Sequence, residues 1–529
     1  MTRAPGGRDR LPGPGPAAER EGPPWSRGER LALGALIALC AGTLPLTVHA
    51  WFDPTPDASI YLVATRSLLS GLGHTYWGEP FWMRPPGFPA LLAPVVSVFG
   101  MNFAALHALV SVFGIAGVAA LFAFQRTRLG APAAWLVAAS LWLLPAYQRL
   151  CNQVMSDVPG VALLLAVFLL ERSAARRPDL RRELLLGVCI GLFSTVRTVV
   201  LLALPAILAS RVVERLSRAD GEPGWPRFAL RRLLPLAAAA WIAQLPWSEA
   251  LSPPDAATPA DQTARFSYAV AMWHRDEGDP SSPRIPIAEV LRTRVPERAP
   301  DMAGTLGSAL ETEQVSPARI VLAALLSAGS LWVLLKRRAP ADFFVLGSTA
   351  LFAVYFGYKP RLLLPVWVIA LPALAELMQD LARRVAGARA ASLLVAAGLA
   401  AFAAAHFAPR QGWGAIRREH ERLFAESAEI AKHVAPDARL GTPVAWDFAV
   451  ALDRPVFSLH YHARRRGDAA AATEEMIEKY DLDAVFVDPT EPRDRDVWAH
   501  LVKRYGDGSE NGGFERAGRW VVVPVRARG

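Results

Sequence analysis

The chain has 529 residues, 52% of them hydrophobic, with a net charge of +9 and a mean hydropathy of +0.23. That is too apolar for an ordinary soluble protein, and the apolar residues come in blocks, so the composition points to a polytopic membrane protein. The basic residues cluster at the ends of apolar runs rather than on one soluble face, which argues against nucleic acid as a partner. Cys40, Cys151 and Cys189 are scattered and imply neither a disulfide framework nor a thiolate metal site.

In chain order, residues 1–30 form a Pro- and Gly-rich, Arg-bearing leader, expected to be disordered and cytoplasmic. The apolar run 31–50 has no clean small-residue cleavage site after it and reads as a retained anchor, not a signal peptide. Further spans are expected at 103–124, 131–149, 157–171, 183–196, 198–213, 231–247, 318–335, 341–357, 361–380 and 389–407, about eleven in all. The loops holding Arg126 and Arg128, and those over 172–182, 211–232, 336–338 and 383–389, carry the positive charge that marks a cytoplasmic side. They alternate correctly if 87–100 is an interfacial helix that does not span and if the break at Arg197 faces outward. Residues 51–102, 150–156, 248–317, 358–360 and everything after 408 are then exterior.

The long segment 248–317, rich in proline and charge, with aromatic patches at 266–268 and 273–274, is expected to cover a cavity as a lid. After the membrane domain, 31–407, the pattern changes. Residues 411–434 have the spacing of an amphipathic stalk. Short strand-like runs at 443–446, 455–458, 484–487 and 520–524, interleaved with helices at 469–480 and near 496–504, predict a small exterior α/β domain over 408–529.

Candidate chemistry falls on the predicted exterior side. Asp57 and Tyr61, at i and i+4, put an acid and a phenol on one helix face. The carboxylate suits a general base, while the neighbouring Asp53-Pro54 has the look of a helix start and leaves capping open for Asp57 as well. Asp157, at the entrance of a span, is open to the same two readings, since an anion favours a helix N-terminus by about 0.3–1 kcal/mol. Tyr358, Lys359 and Arg361 place a phenol and two cations where the positive-inside trend is broken, and a phosphate is their natural partner. Arg197 interrupts a long apolar stretch, a costly position that by default marks function, with snorkelling to the interface as the alternative. His74, Tyr76, Trp77, Trp82, Trp273 and His274 suit an interfacial aromatic belt, and no His is grouped as a metal ligand. Markers of ATP hydrolysis, nucleotide cofactors and zinc proteolysis are absent from the sequence. No cofactor is expected.

Taken in order, Asp57-x-x-x-Tyr61-x-x-Ala64-x-x-x-Leu68-x-x-Gly71, Arg84-Pro85-Pro86-Gly87-Phe88-Pro89, Ser156-Asp157-Val158-Pro159, Arg197 and Arg361-x-x-Leu364-Pro365 resemble the GT-C membrane glycosyltransferases. Within them, the pattern is similar to the bacterial branch related to protein O-mannosyltransferases and aminoarabinose transferases. The resemblance implies a sugar donor on a polyprenyl phosphate, cleaved with inversion outside the cytoplasm of the cell membrane, and a lipid, glycan or protein acceptor. It implies Asp57 as the acid that activates the acceptor, Asp157 as a second acid, and Arg361 with Lys359, Arg84 and Arg197 as the phosphate cations. Tyr61, Tyr358 and His74 complete the expected substrate contacts. Ala58 stands where many relatives carry a second acid, and Arg84 where they carry Lys. Two rivals stand beside it: a flippase or transporter of lipid-linked sugars that uses the same cations to hold a phosphate without chemistry, and an anchored binding protein whose C-terminal domain does the work, the acidic loop being merely structural.

Overall fold

The computed structural model describes residues 24–80, 84–217, 224–251, 272–275, 283–307, 317–355, 359–406, 413–459, 469–506 and 513–526. The chain is mostly helical. Helix α1 (Arg27–Thr47) starts where Ser26 and Glu29 form a capping box, so it begins inside the expected leader. That corrects the boundary at 30; residues 1–23 of the leader lie outside the described residues. Glu29 also pairs with Arg126 at 2.7 Å, tying α1 to α4 (Phe103–Leu129). Between them come α2 (Pro56–Leu69), a two-stranded hairpin of β1 (Thr75–Tyr76) and β2 (Glu79–Pro80), and α3 (Gly87–Phe99).

The expected span 131–149 is broken by Pro145 into α5 (Ala131–Leu143) and α6 (Pro145–Cys151). Helices α7 (Asp157–Arg176), α8 (Leu180–Ser194), α9 (Ala203–Ser217) and α10 (Leu234–Leu251) follow. A Cβ on Gly187 or Gly191 of α8 would collide with the backbone of α10 at Leu236 and Ala240, so two glycines four apart let these helices approach closely.

Of the expected lid, 252–271, 276–282 and 308–316 lie outside the described residues, including the patch at 266–268. What is described contains α11 (Ile287–Gly307), whose Arg294 donates to the carbonyl of Met272 at 2.9 Å. Helices α12 (Pro317–Arg337) and α13 (Pro340–Val354) come next. The two spans expected at 361–380 and 389–407 are one continuous helix, α14 (Leu364–His406). The segment between them, rich in Ala and Arg, contains no proline and only one glycine, and good helix formers carry the helix through the arginines that were expected to mark a loop.

Six helices are long and apolar enough to cross a membrane among the described residues, with shorter apolar helices at Gly87–Phe99, Ala131–Leu143 and Pro340–Val354. Acids between the helices are paired: buried Glu183 with Arg211 and Arg232, each at 2.7 Å, and buried Asp342 and half-buried Glu376 with Arg337. A carboxylate in apolar surroundings is tolerated only with such a partner.

The C-terminal part carries a mixed five-stranded sheet in the order β4-β3-β5-β7-β6. Strands β3 (Leu440–Thr442), β4 (Val456–Ser458) and β5 (Ala484–Val487) are parallel, and β6 (Glu515–Ala517) and β7 (Trp520–Pro524) complete it antiparallel. The strand expected at 443–446 is displaced upstream: Pro443 has no N–H for a ladder, and Ala445–Ala451 is a helix, α16. Helices α15 (Trp413–Ala431), α17 (Ala469–Tyr480) and α18 (Arg495–Tyr505) surround the sheet. The expected stalk, α15, is part of this unit, because Glu426 accepts from Trp520 Nε1 at 2.9 Å and pairs with Arg519 at 3.0 Å.

Candidate active site

Thr55 caps α2, accepting from the Ala58 N–H at 3.2 Å, with Pro56 at the first helical position. Asp53 does not cap; it accepts from Gln153 Nε2 at 2.5 Å. With the cap supplied by Thr55, the Asp57 carboxylate is left for other partners, and it finds two. Arg84 donates to Oδ1 from Nη2 at 2.6 Å and from Nε at 3.2 Å, and Arg361 donates to Oδ2.

Arg84 arrives by the Pro-Pro-Gly turn. The Gly87 N–H donates to the Thr195 carbonyl at 2.9 Å, and a Cβ at 87 would collide with Thr195, so only glycine lets this turn dock against the break before Arg197. His74 Nε2 lies 2.7 Å from the Arg84 carbonyl. It holds the backbone of Arg84.

The break expected at Arg197 exists: α8 ends at Ser194, Arg197 is extended, and a short 3-10 turn (Thr198–Leu202) leads into α9. Arg197 Nη2 pairs with Asp157 at 2.7 Å, its Nη1 donates to Ser156 Oγ at 3.1 Å, and Ser156 Oγ lies 2.9 Å from the Tyr61 hydroxyl. Arg361 Nε reaches Asp157 at 3.7 Å. Gly160, one turn into α7, leaves the room that Arg197 occupies, since a Cβ there would lie 2.5 Å from Arg197 Cδ. From the sequence, Ser156 stood in the motif ahead of Asp157 without a role of its own, and Gly160 was not singled out. A serine before an acid reads as a cap, and a glycine in an apolar helix reads as packing; both acquire their roles only once Arg197 folds against them.

The cluster therefore joins Asp57, Asp157, Arg84, Arg197 and Arg361, with Tyr61 at its edge. Lys359 is exposed and makes no ion pair with the cluster, and Tyr358 lies outside the described residues. Burial pushes the Asp57 carboxyl up, but Arg84 and Arg361, with Arg197 behind them, outweigh it and hold Asp57 below the usual carboxylate range. Burial pushes the Tyr61 phenol up to about 12, so it stays protonated as a hydrogen-bonding group. Three guanidinium groups against two carboxylates leave a net charge of one positive in a largely buried site, which suits a monoanionic oxyacid ligand. Among the described residues, no group of three or more His, Cys, Asp or Glu is placed to hold a metal ion.

Residues 83–220 match the dolichyl-phosphate-mannose-protein mannosyltransferase family. None of the curated proteins matches the chain. Among solved structures, ArnT from Cupriavidus metallidurans bound to undecaprenyl phosphate is similar at 13% identity and a TM-score of 0.58, over 93% of this chain and 97% of that one. The same protein in the apo state matches at 14% identity and 0.58, over 94% and 98%. The Archaeoglobus fulgidus oligosaccharyltransferase in complex with Zn and sulfate matches at 14% identity and 0.50, over 89% of this chain and 69% of that one. In fold along nearly its whole length, and in sequence over 83–220, the chain thus resembles the GT-C membrane glycosyltransferases.

Proposed function

We propose that the chain transfers a sugar from a polyprenyl-phosphate donor to an acceptor on the non-cytoplasmic face of the cell membrane, with inversion. The observation that carries this reading is the Asp57–Arg84–Arg361 cluster: a carboxylate able to take a proton, seated beside cations able to take a phosphate. Its net charge matches the single charge of a sugar-bearing phosphodiester. The ArnT structure with undecaprenyl phosphate supports the same ligand chemistry for a protein of this fold.

In this mechanism the acceptor X–H attacks the anomeric carbon from the face opposite the phosphate. The bond from that carbon to the phosphate oxygen breaks, the proton passes to Asp57, and polyprenyl phosphate departs carrying the bonding electrons. Arg84 and Arg361, with Arg197 held by Asp157, face the charge that grows on the leaving oxygen, and preorganised cations there lower the barrier. Asp57 in the ligand-free arrangement is a weak base, because two guanidinium groups hold it. A donor phosphate competes for those groups, and each one drawn off makes Asp57 more basic. The base is thereby strengthened only when there is a sugar to transfer.

The flippase reading has one observation in its favour, the helix broken between α8 and α9 at a charged residue, as in transporters. Incubating the purified protein with a panel of polyprenyl-phosphate sugars decides between them. Release of polyprenyl phosphate that requires an acceptor supports transfer, and its absence with every donor, alongside movement of donor across vesicles, supports the flippase.

A further inference from the structure

The helix that carries Asp57 is held on its other side by the C-terminal domain. Ser59 is two residues from Asp57, about 200° round the helix axis, and so faces away from the arginines. It is fully buried, and its hydroxyl donates to Asp447 Oδ1 of α16 at 2.9 Å, across 388 positions of sequence. Further along α2, Arg66 pairs with Asp453 at the end of the α16 segment. Just beyond α2, the Tyr76 hydroxyl donates to the Val456 carbonyl at 2.9 Å, and its ring meets Trp446 edge-on at 5.2 Å. Just before α2, the Phe52 N–H donates to His420 Nδ1 at 3.2 Å. The domain thus grips α2 before, along and after its length.

This matters because α2 has only 14 residues and does not span. On its membrane side α2 is held by the packing of Tyr61 on Phe88 and its hydrogen-bond contact with Ser156, and by the Asp57 ion-pair cluster, the set of contacts that a donor phosphate would loosen. A base must stay within hydrogen-bond reach of the acceptor proton, and a displacement of about 1 Å can cost about a hundredfold in rate. Contacts independent of the cluster keep α2 in place at that moment, and on the face opposite the arginines the buried polar one is the bond from Ser59 to Asp447. Asp447 is half-buried, facing Ser59 with Asp53 and Glu419 nearby; its removal from water pushes its carboxyl up, the Ser59 hydroxyl opposes this, and the two acids add to the rise.

We propose that Asp447 is a positioning residue for Asp57: through Ser59 it sets the roll and depth of α2, making the C-terminal domain a working part of the transfer site. The proposal rests on the reading of Asp57 as the base. Its test uses the full-length protein with Asp447→Ala, Asp447→Asn and Ser59→Ala. Two readouts are taken: hydrogen exchange of the backbone over 56–69, which needs no reaction, and kcat and KM for transfer from a polyprenyl-phosphate sugar. Asp447→Ala should speed exchange in α2 while leaving α4 and α7 unchanged, and lower kcat about tenfold with KM within about threefold. Asp447→Asn keeps an acceptor oxygen for Ser59 and should restore kcat to within about threefold. Ser59→Ala should lower kcat severalfold, and it carries the test if Asp447→Ala does not fold. Unchanged α2 exchange with kcat within twofold in the variant that folds would overturn the proposal, as would Asp447→Asn as poor as Asp447→Ala. If the wild-type protein transfers from no donor, the functional reading has failed, and the exchange measurement alone decides whether Asp447 positions α2.

Discussion

Asp57→Asn separates the two roles of the cluster, because it should move turnover and ligand affinity in opposite directions. Asparagine keeps the shape and can still accept from Arg84, but it cannot take the acceptor proton, and loss of a general base costs about 100-fold or more in kcat. That corresponds to about 2.7 kcal/mol of barrier. The variant also removes the carboxylate that Arg84 contacts at 2.6 Å and 3.2 Å and that Arg361 pairs with, so the net charge of the cluster rises from one positive to two. A phosphate on the far side of those guanidinium groups would sit about 7 Å from the lost charge, where Coulomb's law at an effective dielectric of about 20 gives about 2.4 kcal/mol. If screening leaves about half of that, polyprenyl phosphate should bind about tenfold more tightly. Purified wild type and variant in nanodiscs, measured for release of polyprenyl phosphate under turnover and for equilibrium binding without acceptor, give both quantities. Transfer within threefold of wild type would remove Asp57 from the base role. Weaker binding by Asp57→Asn would refute the competition between Asp57 and the donor for the same arginines.

Arg361→Ala should weaken binding and turnover together, with turnover falling about 100-fold, since the cation meets phosphate in the ground state and more strongly as the leaving oxygen gains charge; an unchanged KM with an unchanged kcat would count against it in steady-state assays. Gly160→Ala places a methyl group 2.5 Å from Arg197 Cδ and should displace Arg197 from Asp157, at a cost of about 1–3 kcal/mol in stability and with slower transfer; thermal unfolding and turnover indistinguishable from wild type would show that the cradle is not needed. The seam between the domains should weaken in acid. Burial lowers the pKa of His420 from its ordinary 6.5, with Glu421 opposing, so the unfolded chain takes up a proton that the folded one resists. Stability from this group is therefore intact above pH 6.5 and is lost as pH falls from there towards the depressed value. His420→Gln can keep the acceptor for the Phe52 N–H and should flatten that slope in thermal melts between pH 7 and 5; identical slopes would dismiss the assignment.

Hydropathy and charge are local properties, and what depends on them was legible in the chain itself. The apolar blocks mark the helices, the break at Arg197 follows from a charge set in an apolar stretch, and the order of Asp57, Arg84, Asp157, Arg197 and Arg361 carries the resemblance, whereas the break at Pro145 fell inside what read as one span. Even locally the reading had limits. The capping box at Ser26 starts α1 earlier than hydropathy does, and helix propensity across 381–388 outweighs the arginines that suggested a loop. Tertiary structure alone decided which atoms of those residues meet. Whether Asp57 caps a helix or faces two guanidinium groups depends on Thr55 taking the cap and on Gly87 letting the Arg84 turn reach Thr195. Why Gly160 and Ser156 matter, and why Lys359 faces outward while Arg361 does not, depends on neighbours brought in from other helices. The hold of Asp447 on Ser59 joins residues 388 positions apart. No periodicity encodes such a contact, because it exists only after chain entropy has been spent to bring the C-terminal sheet and its helices down onto α2.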